Sequence, residues 1–122
     1  MSFEVLEPGM LALVQDAGRH GYQHMGVTTG GPMDEFAFFW ANRLLDNDLN
    51  APQIEITFGR FSLKANHEAC IAITGGDLGA RINDQAIAPW RTHHINKGDR
   101  LDFTTPVSGL RAYLAVSGGF KP

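Results

Sequence analysis

The residues best able to do chemistry lie near the start of the chain, where Gln15, Asp16, Arg19 and His20 fall within six positions. A guanidinium group presents paired N–H donors that hold a carboxylate or an acyl oxygen. We therefore predict that Arg19 holds such a group and that Asp16 serves as its polar anchor. The same two residues also fit a plain structural role, an ion pair with an Asx turn that pins the loop. The spacing leaves both alternatives open.

Metal and thiol chemistry is not predicted for the other candidate residues. His93 and His94 are adjacent on a predicted strand, so their side chains face opposite sides. His20 and His24 are four residues apart, but the glycines around them argue against one shared helical face. Cys70 is the only cysteine, which excludes an internal disulfide and a cysteine-based zinc site. Its apolar neighbours predict a buried, inert thiol, and we expect no metal site.

A loop and a helix must position the first group of residues. Five glycines predict an irregular loop from residue 16 to residue 31, long enough to be functional. A helix at about residues 33–45 follows, with Pro32 suited to its first turn and Asp34 and Glu35 complementing the positive end of its dipole. Apolar residues recur there with the i, i+3, i+4, i+7 spacing of a helix: Met33, Phe36, Ala37, Trp40, Ala41, Leu44 and Leu45.

Short segments of alternating polarity predict about ten strands in the rest of the chain. They are Phe3 to Leu6, Met10 to Gln15, Ile54 to Thr57, Phe61 to Ala65, Ala69 to Thr74, Ala80 to Ile82, Gln85 to Ile87, Thr92 to Ile95, Arg100 to Phe103 and Leu110 to Val116. Asn83-Asp84 and Gly98-Asp99 are predicted to form hairpin turns, because Asn, Asp and Gly tolerate positive φ. Many short strands and one helix predict a mainly β fold, a closed antiparallel barrel or a sandwich.

Composition narrows the class of protein. At 122 residues the chain has the length of one domain, and 43% hydrophobic residues allow a packed core. The net charge of −3, with Lys and Arg scattered, argues against nucleic-acid binding. No apolar run approaches the roughly 20 residues of a membrane span, and the N-terminus lacks the basic start of a signal peptide. A cytoplasmic protein without membrane contact is therefore the default expectation.

Specific residues, in order along nearly the whole chain, resemble a known family. The match is carried by Val14-Gln15-Asp16, Gly18-Arg19, Gly21, Gly26-Val27, Met33-Asp34 with Ala37, Ala41-Asn42 with Leu44, Asn47, Ala51, Glu55 with Thr57, Gly59, Gly98-Asp99, Arg111, Tyr113-Leu114-Ala115-Val116 and Gly118-Gly119. These positions resemble the allophanate hydrolase subunit 2 family, also described as biotin-dependent carboxyltransferase-like. The family includes the C subunit of 5-oxoprolinase, which we expect the chain to resemble in particular, and the Kip-type antagonist of a kinase inhibitor.

The resemblance implies a fold and a larger context. It implies a cyclophilin-like antiparallel β-barrel, in agreement with the predicted strands. It also implies that residues 1–122 are the N-terminal half of a longer protein with two such halves. The abrupt end of the chain after a strongly alternating strand fits that expectation.

The resemblance implies three functions that stay open at this point. The first is a subunit of an ATP-dependent 5-oxoprolinase complex, which opens the lactam of 5-oxoproline to L-glutamate. The second is half of a biotin-dependent carboxyltransferase acting on urea or a related amide. The third is a non-catalytic regulatory protein that antagonises a kinase inhibitor. All three imply a partner of the subunit 1 type, the hydrolase also a third subunit, with exposed apolar surface as the partner interface and ATP at the level of the complex.

For such a reaction we predict that three residues of the first group take part. Arg19 is predicted to stabilise a developing oxyanion, with Asp16 orienting it and Gln15 hydrogen-bonding the substrate. Other family positions are also candidates for substrate binding, although they could equally connect the helix to the barrel: Asp34, Asn42 and Glu55.

Overall fold

The computed structural model describes residues 3–9, 11–15 and 32–120. In chain order the elements are β1 (Phe3–Pro8), β2 (Leu11–Gln15), α1 (Glu35–Leu44), β3 (Gln53–Thr57), β4 (Phe61–Ala65), β5 (Ala69–Asp77), β6 (Arg81–Ile82), β7 (Gln85–Ala86), β8 (Arg91–Ile95), β9 (Arg100–Asp102) and β10 (Ser108–Val116). A helix of 10 residues rises only about 15 Å. No helix in the described ranges reaches the length and apolarity that a bilayer crossing requires.

The strands form two five-stranded sheets in which every recorded pairing is antiparallel. The first sheet has the order β1-β4-β9-β6-β7 and the second has the order β2-β3-β10-β5-β8. Both sheets send alternate apolar side chains into one shared core, among them Phe61, Leu63 and Leu101 from the first and Ile56 and Leu114 from the second. Each fully buried aliphatic or aromatic side chain stabilises the fold by roughly 1.5–3 kcal/mol. This core therefore holds the sheets together.

Helix α1 lies on the other face of the second sheet, which we call the helix-side face. A smaller cluster of buried side chains fixes it there: Ala37, Phe38 and Ala41 from the helix, with Tyr113 and Ala115 from β10. Two alanines at the contact allow the helix backbone to come close to the sheet. The second sheet is therefore covered on both faces along β5 and β10.

The ends of α1 follow from local chemistry. Asp34 has an extended backbone (φ −123°), and its Oδ1 accepts a hydrogen bond from the amide of Ala37 at 3.0 Å, as expected for an N-cap. At the other end Asp46 takes a left-handed φ of 59° and stops the helix. The helix predicted at 33–45 thus occupies 35–44, because the cap residue holds Met33 outside the first turn.

The expected fold class is confirmed. The described part of the chain is mainly β and antiparallel, with one helix, and two facing sheets are compatible with a barrel-like shape. The Asn83-Asp84 turn is also confirmed as a hairpin between β6 and β7. Both turn residues have positive φ, 49° and 67°, as a two-residue hairpin of this twist requires. The specific likeness to cyclophilins and the second half of the protein remain expectations.

The prediction of a hairpin at Gly98-Asp99 is wrong. A turn does occur, since the amide of Asp99 donates to the carbonyl of Asn96 at 3.0 Å. However, β8 before it pairs with β5 in the second sheet, and β9 after it pairs with β4 and β6 in the first. The turn therefore carries the chain between sheets, because the apolar faces of β8 and β9 serve different sides of the core.

The prediction of a buried thiol at Cys70 is also wrong. Strand alternation places Ala69 and Ile71 in the core and turns Cys70 to the helix-side face, opposite His94 on β8. Helix α1 covers that face further along β5, at Thr74, and Cys70 is exposed. Apolar neighbours in sequence could not reveal this, because neighbours on a strand point to opposite faces.

Candidate functional site

Of the first group of residues predicted to do chemistry, only Gln15 is among the described residues. Gln15 ends β2, and its backbone pairs with Gln53 of β3. Asp16 and Arg19 lie outside the described residues. Their roles therefore stay predictions, and so does the substrate contact of Gln15. The strand that leads to them is nevertheless placed: it is the edge strand of the second sheet, next to β3.

Glu55, predicted to bind substrate, lies at the centre of a buried hydrogen-bond network. Its side chain is only 3% exposed, and its Oε2 accepts hydrogen bonds from the Tyr113 hydroxyl and from the amide of Met33, the latter at 3.1 Å. The Tyr113 hydroxyl in turn accepts a hydrogen bond from the amide of Asp34 at 2.9 Å. One carboxylate and one phenol thus fix the start of α1 to the middle of the second sheet. Glu55 is therefore not part of a solvated face of the sheet.

The same network changes the acidity of Tyr113. Burial raises the pKa of the phenol well above its ordinary value near 10, and the hydrogen bond to Glu55 raises the pKa further. The physical cause is that a phenolate would have to lose its water and lie beside a carboxylate. Tyr113 therefore stays a hydroxyl donor toward Glu55 at any physiological pH.

Asp34 and Asn42 contact the protein's own backbone. Asp34 caps α1 as described above. Asn42 is fully buried, and its Nδ2 donates to the carbonyls of Leu49 (3.3 Å) and Ala51 (3.0 Å) while its Oδ1 accepts from Asn47 (3.2 Å). These contacts favour the structural alternative for Asn42, which lies about 12 Å along the helix axis from Asp34. Asp34 and Glu55, in contrast, are joined through Tyr113.

A row of polar side chains runs along β3 on the helix-side face. Ile54 and Ile56 point into the core, so the alternate residues Gln53, Glu55 and Thr57 point toward α1. On the neighbouring β10, Tyr113 lies directly opposite Glu55, and Arg111 lies directly opposite Thr57. We call Glu55, Tyr113, Thr57 and Arg111 the polar row. Sequence reasoning gave Tyr113 and Thr57 no role, although the polar alternation on an otherwise apolar strand was the available signal.

The outer surface of α1 carries exposed aromatic side chains. Phe36 is 67% exposed, and its ring contacts those of Trp40 and Trp90 at centroid distances of 6.3 and 6.0 Å. The ring of Phe39 packs edge-on against Trp40 at 5.6 Å. We call Phe36, Phe39, Trp40 and Trp90 the aromatic surface. Contiguous exposed apolar residues on a soluble domain mark a contact site.

Apart from the features on the second sheet, a cleft of about 550 Å³ opens on the first sheet. Its charges balance, because it contains as many acidic residues as arginines, and Arg100 already pairs with Asp102 at 2.8 Å. We therefore do not assign it as the functional site. The charged lining residues are Glu7, Arg60, Arg81, Asp84, Arg100 and Asp102. Over the described ranges, no three His, Cys, Asp or Glu side chains come together as metal ligands.

Fold and site together define a class: a mainly β domain of two antiparallel sheets whose single described helix is tied by its N-terminus to a buried carboxylate and phenol. A model of the carboxyltransferase domain, subdomain A and B, matches residues 25–122, and the chain belongs to this family. The resemblance to the allophanate hydrolase subunit 2 and biotin-dependent carboxyltransferase-like proteins is thereby confirmed.

Two kinds of enzyme are among the proteins similar to this chain. The chain is 39% identical over 117 residues to the C subunit of 5-oxoprolinase from Escherichia coli K12, covering 95% of the chain and 37% of that protein. It is 41% identical over 119 residues to urea amidolyase of Lachancea kluyveri, covering 97% of the chain and 6% of that protein. The structure of the K. lactis urea amidolyase superimposes with a TM-score of 0.91 at 41% identity, covering 96% of the chain and 7% of that structure. The chain thus spans well under half of these relatives.

Proposed function

We propose that the chain is a domain of one subunit in an ATP-dependent 5-oxoprolinase complex, which hydrolyses the lactam of 5-oxoproline to L-glutamate. The observation that carries the proposal is the 39% identity to a 5-oxoprolinase subunit across 95% of the chain. ATP is used by the complex as a whole and is not assigned to this chain. The complex also contains a partner of the subunit 1 type and a third hydrolase subunit.

The chemistry explains why ATP and positioned cations are needed. An unstrained amide is a poor electrophile because of its resonance, and phosphorylation of its oxygen creates a leaving group. Preorganised donors stabilise the negative charge that develops on oxygen as water adds to the activated carbon. In this proposal Arg19 supplies that stabilisation, Asp16 orients Arg19, and Gln15 hydrogen-bonds the substrate. Glu55 and Tyr113 fix the start of α1 through the amides of Met33 and Asp34.

A second candidate function is supported equally well by sequence identity. The 41% identity to a urea amidolyase, together with the TM-score of 0.91 to a solved urea amidolyase, favours half of a biotin-dependent carboxyltransferase acting on urea or a related amide. The site chemistry is similar in both, since each reaction develops negative charge on an oxygen atom that a guanidinium group can stabilise.

The aromatic surface supports work within a complex in either case. Exposed Phe36 and its ring contacts would be covered by a partner polypeptide, which buries apolar area that water otherwise surrounds. The relatives are named as a subunit or as part of a much longer chain, so further polypeptide accompanies this domain in them. We therefore place the partner contact on the outer side of α1.

Turnover by the reconstituted complex tests the proposal. The protein is purified with its partner subunits, and ATP hydrolysis is measured with 5-oxoproline, then with urea plus a biotinylated carrier. ATP hydrolysis that depends on 5-oxoproline and releases glutamate is the expected result. Hydrolysis only with urea and the biotinylated carrier selects the second function. Background rates with both substrates refute both enzymes and leave the regulatory role.

The site assignment is tested separately with Arg19→Ala in the active complex. Loss of one oxyanion donor lowers turnover by about 10²–10³ in other acyl-transfer sites. We expect a loss of that order with an unchanged melting temperature of the chain. Arg81→Ala, an exposed arginine on the first sheet, is the matched control. Equal turnover in the two variants would show that Arg19 is not the oxyanion donor.

A further inference from the structure

We propose that Arg111 and Thr57 form a carboxylate-binding subsite on the helix-side face, just beyond the N-terminus of α1. Its ligand is a small amide or lactam that carries a carboxylate group. The inference deepens the proposed function by assigning part of the substrate to named residues. It rests on that function for the choice of 5-oxoproline as a probe.

The position of the two side chains follows from strand register. Arg111 on β10 lies directly opposite Thr57 on β3, and the next pair on the same face is Tyr113 opposite Glu55. Residues two apart on a strand project from the same face, so all four belong to the face that carries α1. The Cβ atoms of directly opposite residues are about 4.5–5.5 Å apart. A guanidinium and a hydroxyl so placed can bind one small group together.

Hydroxyl groups on this face differ in hydrogen bonding on the two sides of the helix start. Under α1 the hydroxyls have partners: Tyr113 bonds to Glu55 and to the helix start, and the Thr74 hydroxyl donates to the carbonyl of Ala37 at 2.6 Å. Gln53 also donates to the helix, at the carbonyl of Phe38, although its Oε1 accepts no hydrogen bond from the described residues. At the next residue pair beyond the helix start, the Thr57 hydroxyl is buried, with the side chain 5% exposed, and has no hydrogen-bond partner among the described residues. An unpaired buried hydroxyl costs about 1–3 kcal/mol. Such a group in a native protein requires an explanation, and a ligand provides one.

Arg111 is the cation that matches this hydroxyl. Its side chain is half-buried, and within the described ranges no hydrogen bond or ion pair occupies its guanidinium. The nearby carboxylate of Glu55 is engaged by Tyr113 and Met33. A guanidinium without a partner presents two parallel N–H donors, which suit a carboxylate better than they suit a neutral amide. The Thr57 hydroxyl adds a third donor.

Aromatic rings flank the same end of β10. The indole of Trp90 donates from Nε1 to the carbonyl of Gly75 at 3.0 Å, and its ring lies 6.0 Å from that of Phe36. Gly75 lies against the Arg111 backbone so closely that an added Cβ would come within 2.6 Å of the Arg111 carbonyl oxygen. The flat, apolar part of a lactam can therefore face aromatic rings while its carboxylate meets Arg111.

Direct binding to the 122-residue chain tests the subsite. Calorimetric titrations use 5-oxoproline, 2-pyrrolidinone (the same lactam without the carboxylate) and hydantoate (a ureido carboxylate). The variants are Arg111→Gln, Arg111→Lys and Thr57→Val, with Arg81→Gln on the first sheet as the matched control. We expect Arg111→Gln to weaken 5-oxoproline binding about tenfold or more, Thr57→Val to weaken it about threefold, and Arg111→Lys to restore part of the loss. Arg81→Gln leaves the affinity unchanged, and 2-pyrrolidinone binds wild type and Arg111→Gln alike.

The outcomes separate this inference from the proposed function. Hydantoate binding that depends on Arg111, without 5-oxoproline binding, upholds the subsite and counts against the 5-oxoprolinase activity. Equal affinity of wild type and Arg111→Gln for both carboxylates overturns the subsite. So does 2-pyrrolidinone binding as tight as that of 5-oxoproline, or the absence of binding by either carboxylate at millimolar concentrations. Circular-dichroism melts of each variant establish that the folded chain is being compared.

Discussion

Removing a single oxygen atom tests whether the contact between Tyr113 and Glu55 fixes α1 to the sheet. The change Tyr113→Phe keeps the ring, and with it the edge-on contact to Phe38 at 6.2 Å. It removes the hydroxyl that donates to Glu55 and accepts from the amide of Asp34 at 2.9 Å. A hydrogen bond to a carboxylate contributes about 2 kcal/mol, and one between neutral groups about 1 kcal/mol. The expected loss of unfolding free energy is therefore about 3 kcal/mol.

This magnitude converts to a measurable shift in melting temperature. The unfolding entropy of a 122-residue chain is about 0.26 kcal/mol/K, so each kcal/mol lowers the melting temperature by about 4 °C. We expect Tyr113→Phe to melt about 12 °C below wild type, measured by calorimetry and checked by urea unfolding. The control is Thr74→Val, which removes one hydrogen bond to the same helix and should cost about 1 kcal/mol.

A double-mutant cycle identifies the pair responsible. Glu55→Gln combined with Tyr113→Phe should cost less than the two single changes added together, because the side chains are in direct contact. A Tyr113→Phe loss below about 0.5 kcal/mol, or strict additivity in the cycle, would refute the reasoning that this network holds the helix start.

Three further predictions follow from separate features. Asn42→Ala should lower the free energy of unfolding, measured in urea, by about 2–4 kcal/mol, because a fully buried amide with three hydrogen bonds is lost. A loss as small as that at an exposed residue would contradict the structural role of Asn42. Above pH 10 the Tyr113 hydroxyl loses its proton in the unfolded chain but keeps it in the folded chain. The free energy of unfolding should therefore fall by up to about 1.4 kcal/mol per pH unit. In Tyr113→Phe the contribution of this phenol to the pH dependence should be absent. Phe36→Ser should leave the melting temperature of the chain nearly unchanged but reduce co-purification of the partner subunits. The control Lys64→Ser, on the exposed face of β4, should reduce neither the melting temperature nor co-purification. Full retention of the partner subunits by Phe36→Ser would show that α1 is not part of the interface.

The sequence predicted the elements well because each depends on local chemistry. Periodicity located α1 to within two residues at its start, and Asn83-Asp84 identified a hairpin from its tolerance of positive φ. The assignment of strands to the two sheets was harder to predict from the sequence. Gly98-Asp99 has the same local signal, but whether a turn joins neighbouring strands depends on the sheet to which each strand belongs.

The candidate site was predictable in part for a similar reason. Glu55 was selected by family resemblance, but Tyr113, its hydrogen-bond partner, lies 58 residues further along the chain. Only strand register brings the two together, and register is set by tertiary packing. Thr57 looked like one more polar residue in an alternating strand. Only the structure shows that α1 starts one residue pair away and that the Thr57 hydroxyl has no hydrogen-bond partner among the described residues.

The docking of α1 also limits how the domain can change shape. Packed apolar helices can slide past their neighbours by small shears, since one methyl contact replaces another. Here Gln53 bonds to the Phe38 carbonyl, Thr74 to that of Ala37, and the sheet holds the amides of Met33 and Asp34. Sliding by a single residue would break all of these bonds at once. Any rearrangement that accompanies substrate binding must therefore either leave this helix in place or release it in one all-or-none step.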